Sequence, residues 1–202
     1  TCELLAKKKV ELSTVKYLEV NLAIAQCERK ELADKVARLI NRYEIDPSKL
    51  SFEITETGSV KTRNVLLENM NRLTEVGTSF SLDDFGKGES NLDYLIDMPV
   101  SYVKFDLGLT KAYWINEKAK HTVINVINLA HSVGINVVAE GIETRDQVDF
   151  LAQQDCDLIQ GYYFAKPLPN PEASSIFSSS SFVMSISFES NKAVLIASVT
   201  GV

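Results

Sequence analysis

The chain has 202 residues, 45% of them hydrophobic and 24% charged, with a formal net charge of −6. That composition suits one globular domain of cytosolic type with a single core of useful size. The acidic balance, with no basic block, excludes a nucleic-acid backbone as partner, and no apolar run approaches the roughly 20 residues of a membrane span.

A small anionic ligand stays compatible with this charge if local cations or metal ions receive it. Cys2, Cys27 and Cys156 are widely spaced, which reads as reduced, packed thiols rather than a disulfide framework or a zinc site. The N-terminus does not have the pattern of a signal peptide.

The chain opens in a helical pattern, "TCELLAKKKVEL", with no start methionine, and is expected to be a fragment. Strand-like and helix-like segments then alternate. A strand "KYLEVNL" (16–22) precedes a helix over 28–43 and the turn "IDPSKL". "LSFEIT" (50–55) leads to a helix over 62–76, where Gly77 supplies the stop, and "SFSLD" (79–83) leads to a weak helix near 90–96. "SYVKFD" (101–106) is followed by a long helix over 111–133 that ends at Gly134. "INVVAE" (135–140) is followed by a helix over 144–153, with Thr144 at the N-cap and Gln147 at the capping-box position. "DLIQGYYF" (157–164) is the sixth strand-like run. Residues 1–172 read as one barrel-forming unit. Residues 173–202 are serine-rich and then β-like, and fit a hairpin turning at Ser190–Asn191, a tail, or the start of another domain, with no function assigned.

Repeated βα units with near-continuous apolar strands imply a parallel sheet covered on both faces. An open doubly wound sheet concentrates polar chemistry at one switch point, whereas a closed (β/α)₈ barrel of TIM type places polar residues at the C-terminal end of nearly every strand. Here the strand ends read Asn21, Glu53, Asp83 with Asp84, Lys104 with Asp106, Glu140, and Gln160. All six units contribute, which favours the barrel. Six strands leave it two short of closure, so the missing one or two strands are expected on the N-terminal side.

The donor set on those ends is oxygen-rich and free of histidine and cysteine. That suits hard cations such as Mg²⁺ or Mn²⁺ and argues against zinc. Adjacent carboxylates at Asp83 and Asp84 repel each other, so they belong either to a solvated rim or to a bound cation. Two divalent ions roughly 3.5–4 Å apart would stabilise such a cluster and activate a water for in-line attack on phosphorus. Lys104, closing an otherwise apolar strand, orients that water, neutralises phosphate charge, or serves as a structural counter-ion. His121, His131 and Trp114 fall on the 111–133 helix and read as packing or surface residues. Tyr162, Tyr163 and Phe164 read as packing at a barrel end, with base stacking near Gln160 as the alternative.

Five blocks, "FEITETG", "SFSLDDFGKGESNLDYL", "VKFD", "VVAEGIET" and "QGYYFAKPLP", resemble in order and spacing the signature blocks of EAL-domain cyclic-di-GMP phosphodiesterases. The resemblance runs from Asn21 to Pro169. It implies a modified TIM barrel that hydrolyses cyclic di-GMP to linear pGpG with two Mg²⁺ or Mn²⁺ ions, in bacterial second-messenger signalling. By position, Asn21, Glu53, Asp83, Asp84 and Glu140 match metal ligands, with Glu140 also assigned as the general base. Lys104 matches the lysine that contacts the catalytic water. Glu56, Asp106, Glu143 and Gln160 match or neighbour positions that line or support the site. The resemblance further implies a cytoplasmic homodimer and an attached sensory or GGDEF-type domain in a longer parent.

Two departures qualify it. The glutamate motif that gives the family its name is absent from these residues and aligns upstream of Thr1. Lys87 and Glu89 stand where the family usually has Thr and Tyr, and Ala23 stands where it commonly has Ser. The loop change reads either as solvated surface variation or as a loss of turnover with binding retained. The alternative function is therefore a degenerate module that serves as a cyclic-di-GMP receptor or a protein-interaction domain.

Overall fold

A computed structural model describes residues 15–55, 62–86, 92–164, 166, 168–169, 184–189 and 192–198. Six parallel strands run in chain order: β1 (Val15–Asn21), β2 (Leu50–Thr55), β3 (Ser79–Phe85), β4 (Tyr102–Phe105), β5 (Asn136–Ala139) and β6 (Leu158–Gln160). Each pairs with the next in parallel. Between them lie α1 (Ile24–Cys27), α2 (Leu32–Arg42), α3 (Arg63–Val76), α4 (Leu92–Asp97), α5 (Leu107–Tyr113), α6 (Glu117–Ser132) and α7 (Arg145–Gln153).

The expected helix ends are where their chemistry places them. Asp46 accepts from the Ser48 N–H at 3.0 Å to start the 3-10 turn before β2. Gly77, at φ 108°, ends α3 in the left-handed conformation that other residues resist. Thr144 and Gln147 form the capping box of α7.

One expectation is corrected. The helix anticipated over 111–133 is two helices, because Asn116 caps a new start: its side chain accepts from the Lys118 N–H at 2.9 Å. Asparagine competes with the helical backbone in this way and favours caps over helix interiors. Trp114 thus lies in the α5–α6 turn, whereas His121 and His131 lie on α6.

Alternation along the strands sorts the core. Outward residues such as Phe52, Ile54, Phe80, Leu82, Val103, Phe105, Val137 and Ile159 pack under Leu66, Met70 and Leu73 of α3 and Ile127 of α6. Inward residues Tyr17, Tyr102, Val138 and Leu158 form a separate small cluster, with the two tyrosine rings 5.1 Å apart. That cluster is an apolar floor inside the barrel. Cys27 and Cys156 are buried and free, as the spacing implied.

The positions left open by six strands are taken by the C-terminal stretch. Strands β8 (Met184–Glu189) and β9 (Lys192–Ser198) pair antiparallel from Met184↔Ala197 to Glu189↔Lys192, and the turn expected at Ser190–Asn191 lies outside the described residues. β8 runs parallel to β1 and β9 antiparallel to β6, so the sheet closes into a ring of eight strands. A two-residue strand β7 (Leu168–Pro169) also lies along β9. The described residues of this stretch thus form an antiparallel strand pair.

Candidate active site

The C-terminal ends of β1 to β6 define one rim. Asn21 is in register with Glu53, Glu53 with Ser81, and Thr55 with Asp83, so the polar residues of three adjacent strands lie side by side. On β4, Lys104 faces inward because it alternates with the outward Val103 and Phe105. Glu140 follows the last residue of β5, and Gln160 ends β6.

At Asp83–Asp84 the strand departs from regular pleating. Leu82 pairs with Val103 and Phe85 with Phe105, so β3 carries one extra residue there, a β-bulge. Asp84 takes the left-handed conformation, φ 58°, which aspartate tolerates better than most residues. In a regular strand neighbouring side chains point to opposite faces. The bulge breaks that alternation, and both aspartates are half-buried at the rim.

At the centre lies the Lys104 ammonium, only 2% exposed. Its Nζ is 2.8 Å from Glu53 Oε1, 3.0 Å from Glu140 Oε1, 3.7 Å from Glu19 Oε2 and 4.0 Å from Asp83 Oδ1. Burial alone would pull the lysine down, but the carboxylates of Glu19, Glu140, Glu53 and Asp83 outweigh it and hold the ammonium well above its ordinary range. Burial pushes Asp83 up to about 8, relieved in part by Lys104 and reinforced by Glu53 and Glu140. Glu19 is likewise raised, burial first. One ammonium does not offset four acidic groups, and burial favours protons on Asp83 and Glu19, a deficit of positive charge that protons fill in the absence of another cation.

That deficit is the test of whether a cation fits. Asp83 Oδ1 and Gln160 Oε1 are buried without a hydrogen-bond partner, each an oxygen acceptor with unused capacity. The donors are hard oxygens, which suit Mg²⁺ or Mn²⁺. Among the described residues no three His, Cys, Asp or Glu side chains stand in ready coordination geometry. Lys104 lies between the carboxylates, in close contact with Glu53 and Glu140, so a cation would have to draw those two off it.

The remaining expected residues take these places. Asp106 Oδ2 accepts from the Gly108 N–H at 2.6 Å and caps α5. Glu143 is exposed on the loop after β5, with its N–H donating to Gln147 Oε1 at 2.7 Å. Asn21 is exposed at the rim. Tyr162 is 59% exposed and does not pack a barrel end, while the rings of Tyr163 and Phe164 meet edge-on at 5.0 Å. Glu56, Lys87 and Glu89 lie outside the described residues.

The loops after β5 and β6 are joined through their backbones. The Ile142 N–H donates to Gln160 O at 3.1 Å, and the Tyr163 N–H to Ile142 O at 3.0 Å. A Cβ on Gly161 would stand 2.0 Å from Ile142 O and 2.3 Å from Ile142 N. Only glycine lets these two motifs touch.

Two interior residues escaped the sequence reading, Glu19 and Ser81. Ser81 Oγ donates to Glu19 Oε1 at 2.9 Å, and both residues are fully buried. Their signal was positional: each stands two residues before a rim residue, Asn21 or Asp83, and therefore on the same inward face.

A barrel with this oxygen-rich rim and interior lysine defines an α/β-barrel protein of the EAL type. Residues 1–167 match the EAL domain family, and the chain belongs to it. It is 34% identical over 163 residues to the cyclic di-GMP phosphodiesterase RocR of Pseudomonas aeruginosa, covering 81% of this chain and 42% of RocR. Among solved structures, the EAL domain of Mycobacterium smegmatis DcpA superposes with a TM-score of 0.79 at 26% identity, covering 88% of this chain and 80% of that one. The MucR phosphodiesterase of Pseudomonas aeruginosa in complex with c-di-GMP gives 0.74 at 28% identity, covering 85% of this chain and 71% of that one. The chain thus spans less than half the length of RocR, and the fold expected from sequence is the fold of these relatives.

Proposed function

We propose that this chain is the catalytic barrel of a metal-dependent phosphodiesterase that hydrolyses cyclic di-GMP to linear pGpG in bacterial second-messenger signalling. The observation that carries this reading is the convergence of Glu19, Glu53, Asp83 and Glu140 on Lys104 in a family whose named relatives include cyclic di-GMP phosphodiesterases. Asn21, Glu53, Asp83, Asp84 and Glu140 would hold two Mg²⁺ or Mn²⁺ ions. Bound there, the ions supply water activation and neutralisation of phosphate charge.

Every other part belongs to the protein. Lys104 places a charged donor at the base of the site, where it orients the attacking water. Glu140, 20% exposed in its side chain, is open enough to take a proton from that water. Gln160 offers an amide to the nucleotide from β6, while Glu56, Asp106 and Glu143 support the loops around it. A cytoplasmic setting, a homodimer and an attached sensory or GGDEF-type domain complete the proposal. Among the described residues no helix is long and apolar enough to cross a membrane.

The test is conversion of cyclic di-GMP to pGpG, followed by chromatography with Mg²⁺ or Mn²⁺, in the protein and in Asp83→Asn. Loss of turnover in Asp83→Asn is expected, and persistent hydrolysis would overturn the cation assignment. Tight binding by calorimetry without pGpG would point to a receptor. Failure to bind the nucleotide in Ca²⁺ would point to a protein-interaction module.

A further inference from the structure

Of the four carboxylates around Lys104, three are the proposed cation ligands Glu53, Asp83 and Glu140. The fourth, Glu19, is not at the rim. It stands two residues before Asn21 on β1, one interior layer deeper by about 6–7 Å along the strand, and is 0% exposed. Ser81 Oγ fixes its Oε1 at 2.9 Å. Its Oε2 has no hydrogen-bond partner and lies 3.7 Å from Lys104 Nζ.

A cation that gathers Glu53 and Glu140 removes the two shortest contacts of the ammonium. A buried ammonium stripped of its counter-ions is strongly unfavourable. Glu19 cannot follow the cation to the rim, because it is buried below and tied to Ser81. We propose that Glu19 is a positioning residue for Lys104, which takes over the ammonium when a divalent cation draws Glu53 and Glu140 away. This inference rests on the metal-dependent reading above. Glu19 sets the direction in which Lys104 retreats, and so the place from which it faces the site. Sharing of one lysine between a lower carboxylate and the rim carboxylates makes cation binding and lysine position one coupled event.

The experiment is a double-mutant cycle on Mn²⁺ binding, measured by calorimetry with the metal alone in the wild type, Glu19→Gln, Lys104→Met and the double variant. Glutamine keeps the shape and the Ser81 contact but not the charge. Glu19→Gln is expected to weaken Mn²⁺ about tenfold, the scale of one coupled charge pair, and to change it less than about twofold once Lys104 is methionine. Ser81→Ala, which frees Glu19 without removing it, is expected to weaken Mn²⁺ by about fivefold and keeps the test open if Glu19→Gln does not fold. Equal weakening in both backgrounds, or none in either, would overturn the proposal, because Glu19 would then act as bulk charge or not at all. In turnover, Glu19→Gln is expected to lower kcat at saturating Mn²⁺ with KM unchanged; a change in KM alone would also overturn it. A wild type that binds Mn²⁺ without hydrolysing the nucleotide defeats only the phosphodiesterase reading. A wild type that takes up no Mn²⁺ defeats the inference together with the cation assignment.

Discussion

Lys104 Nζ and Glu53 Oε1 meet at 2.8 Å across the barrel interior, although β3 separates their strands β4 and β2. Removing the ammonium as Lys104→Met leaves several buried carboxylates facing one another. The metal-free protein is expected to lose about 3–5 kcal/mol, the scale for breaking a buried ion pair from one side. Urea unfolding in a chelator measures it, and added Mn²⁺ should restore part of the loss. An unchanged midpoint would mean that the carboxylates do not depend on Lys104.

The metal-free protein should grow less stable as pH rises from about 5 to 8. Asp83 is raised from 3.8 to about 8 in the fold, so between those values the native state holds a proton that the unfolded chain has released. Stability from such a group is fully present below the unfolded pKa and is lost as pH climbs through the folded one. Thermal melts in chelator across this range give the slope. Asp83→Asn should flatten it; an identical slope in that variant would assign it to other groups.

Gly161→Ala should destabilise the protein by about 1–3 kcal/mol or more, as overpacking does. The added Cβ would meet the backbone oxygen and nitrogen of Ile142 at 2.0 and 2.3 Å, and neither can rotate away. Separation of the loops after β5 and β6 would also displace Glu140 and Gln160, so turnover should fall with stability. Chemical denaturation and activity are compared in the same variant. Retention of both would show that the loops part without consequence.

Asp84→Gly should separate backbone from chemistry. Glycine adopts φ 58° freely, whereas an L-residue there costs about 1–2 kcal/mol. Thermal stability should therefore hold or rise while Mn²⁺ affinity measured by calorimetry drops. If affinity is unchanged, Asp84 does not take part in cation binding.

Much of this site was legible in the strand ends. Glu53, Asp83, Lys104 and Glu140 were each found as a polar residue closing an apolar run, and the structure brings those four together. Glu19 was missed because "KYLEVNL" shows one charge among apolar residues and a solvent-facing position explains that equally well. Only the closed curvature of the sheet turns that face inward. The β-bulge was also hidden: two adjacent aspartates announce a conflict, but the extra residue that resolves it appears only when β3 is paired with β4. The helix expected over 111–133 failed for a local reason, since Asn116 caps more readily than it continues a helix. The C-terminal hairpin could be guessed from its pattern, but its place in the ring is set by pairings with β1 and β6, which no local signal encodes.

That ring closure has a kinetic side. Leu18 of β1 pairs with Ile186 of β8, so strands from near opposite ends of the described sequence lie side by side. Contacts of such long sequence separation form late and slowly. During synthesis, β1 to β6 can stack on their helices as they emerge, but the pairings of β1 with β8 and of β6 with β9 must wait for the hairpin. Until then a strand edge that the hairpin later pairs with is a template for pairing with another chain. The last stage of folding is thus the one most exposed to intermolecular pairing, and slower elongation before the hairpin is synthesised would prolong it.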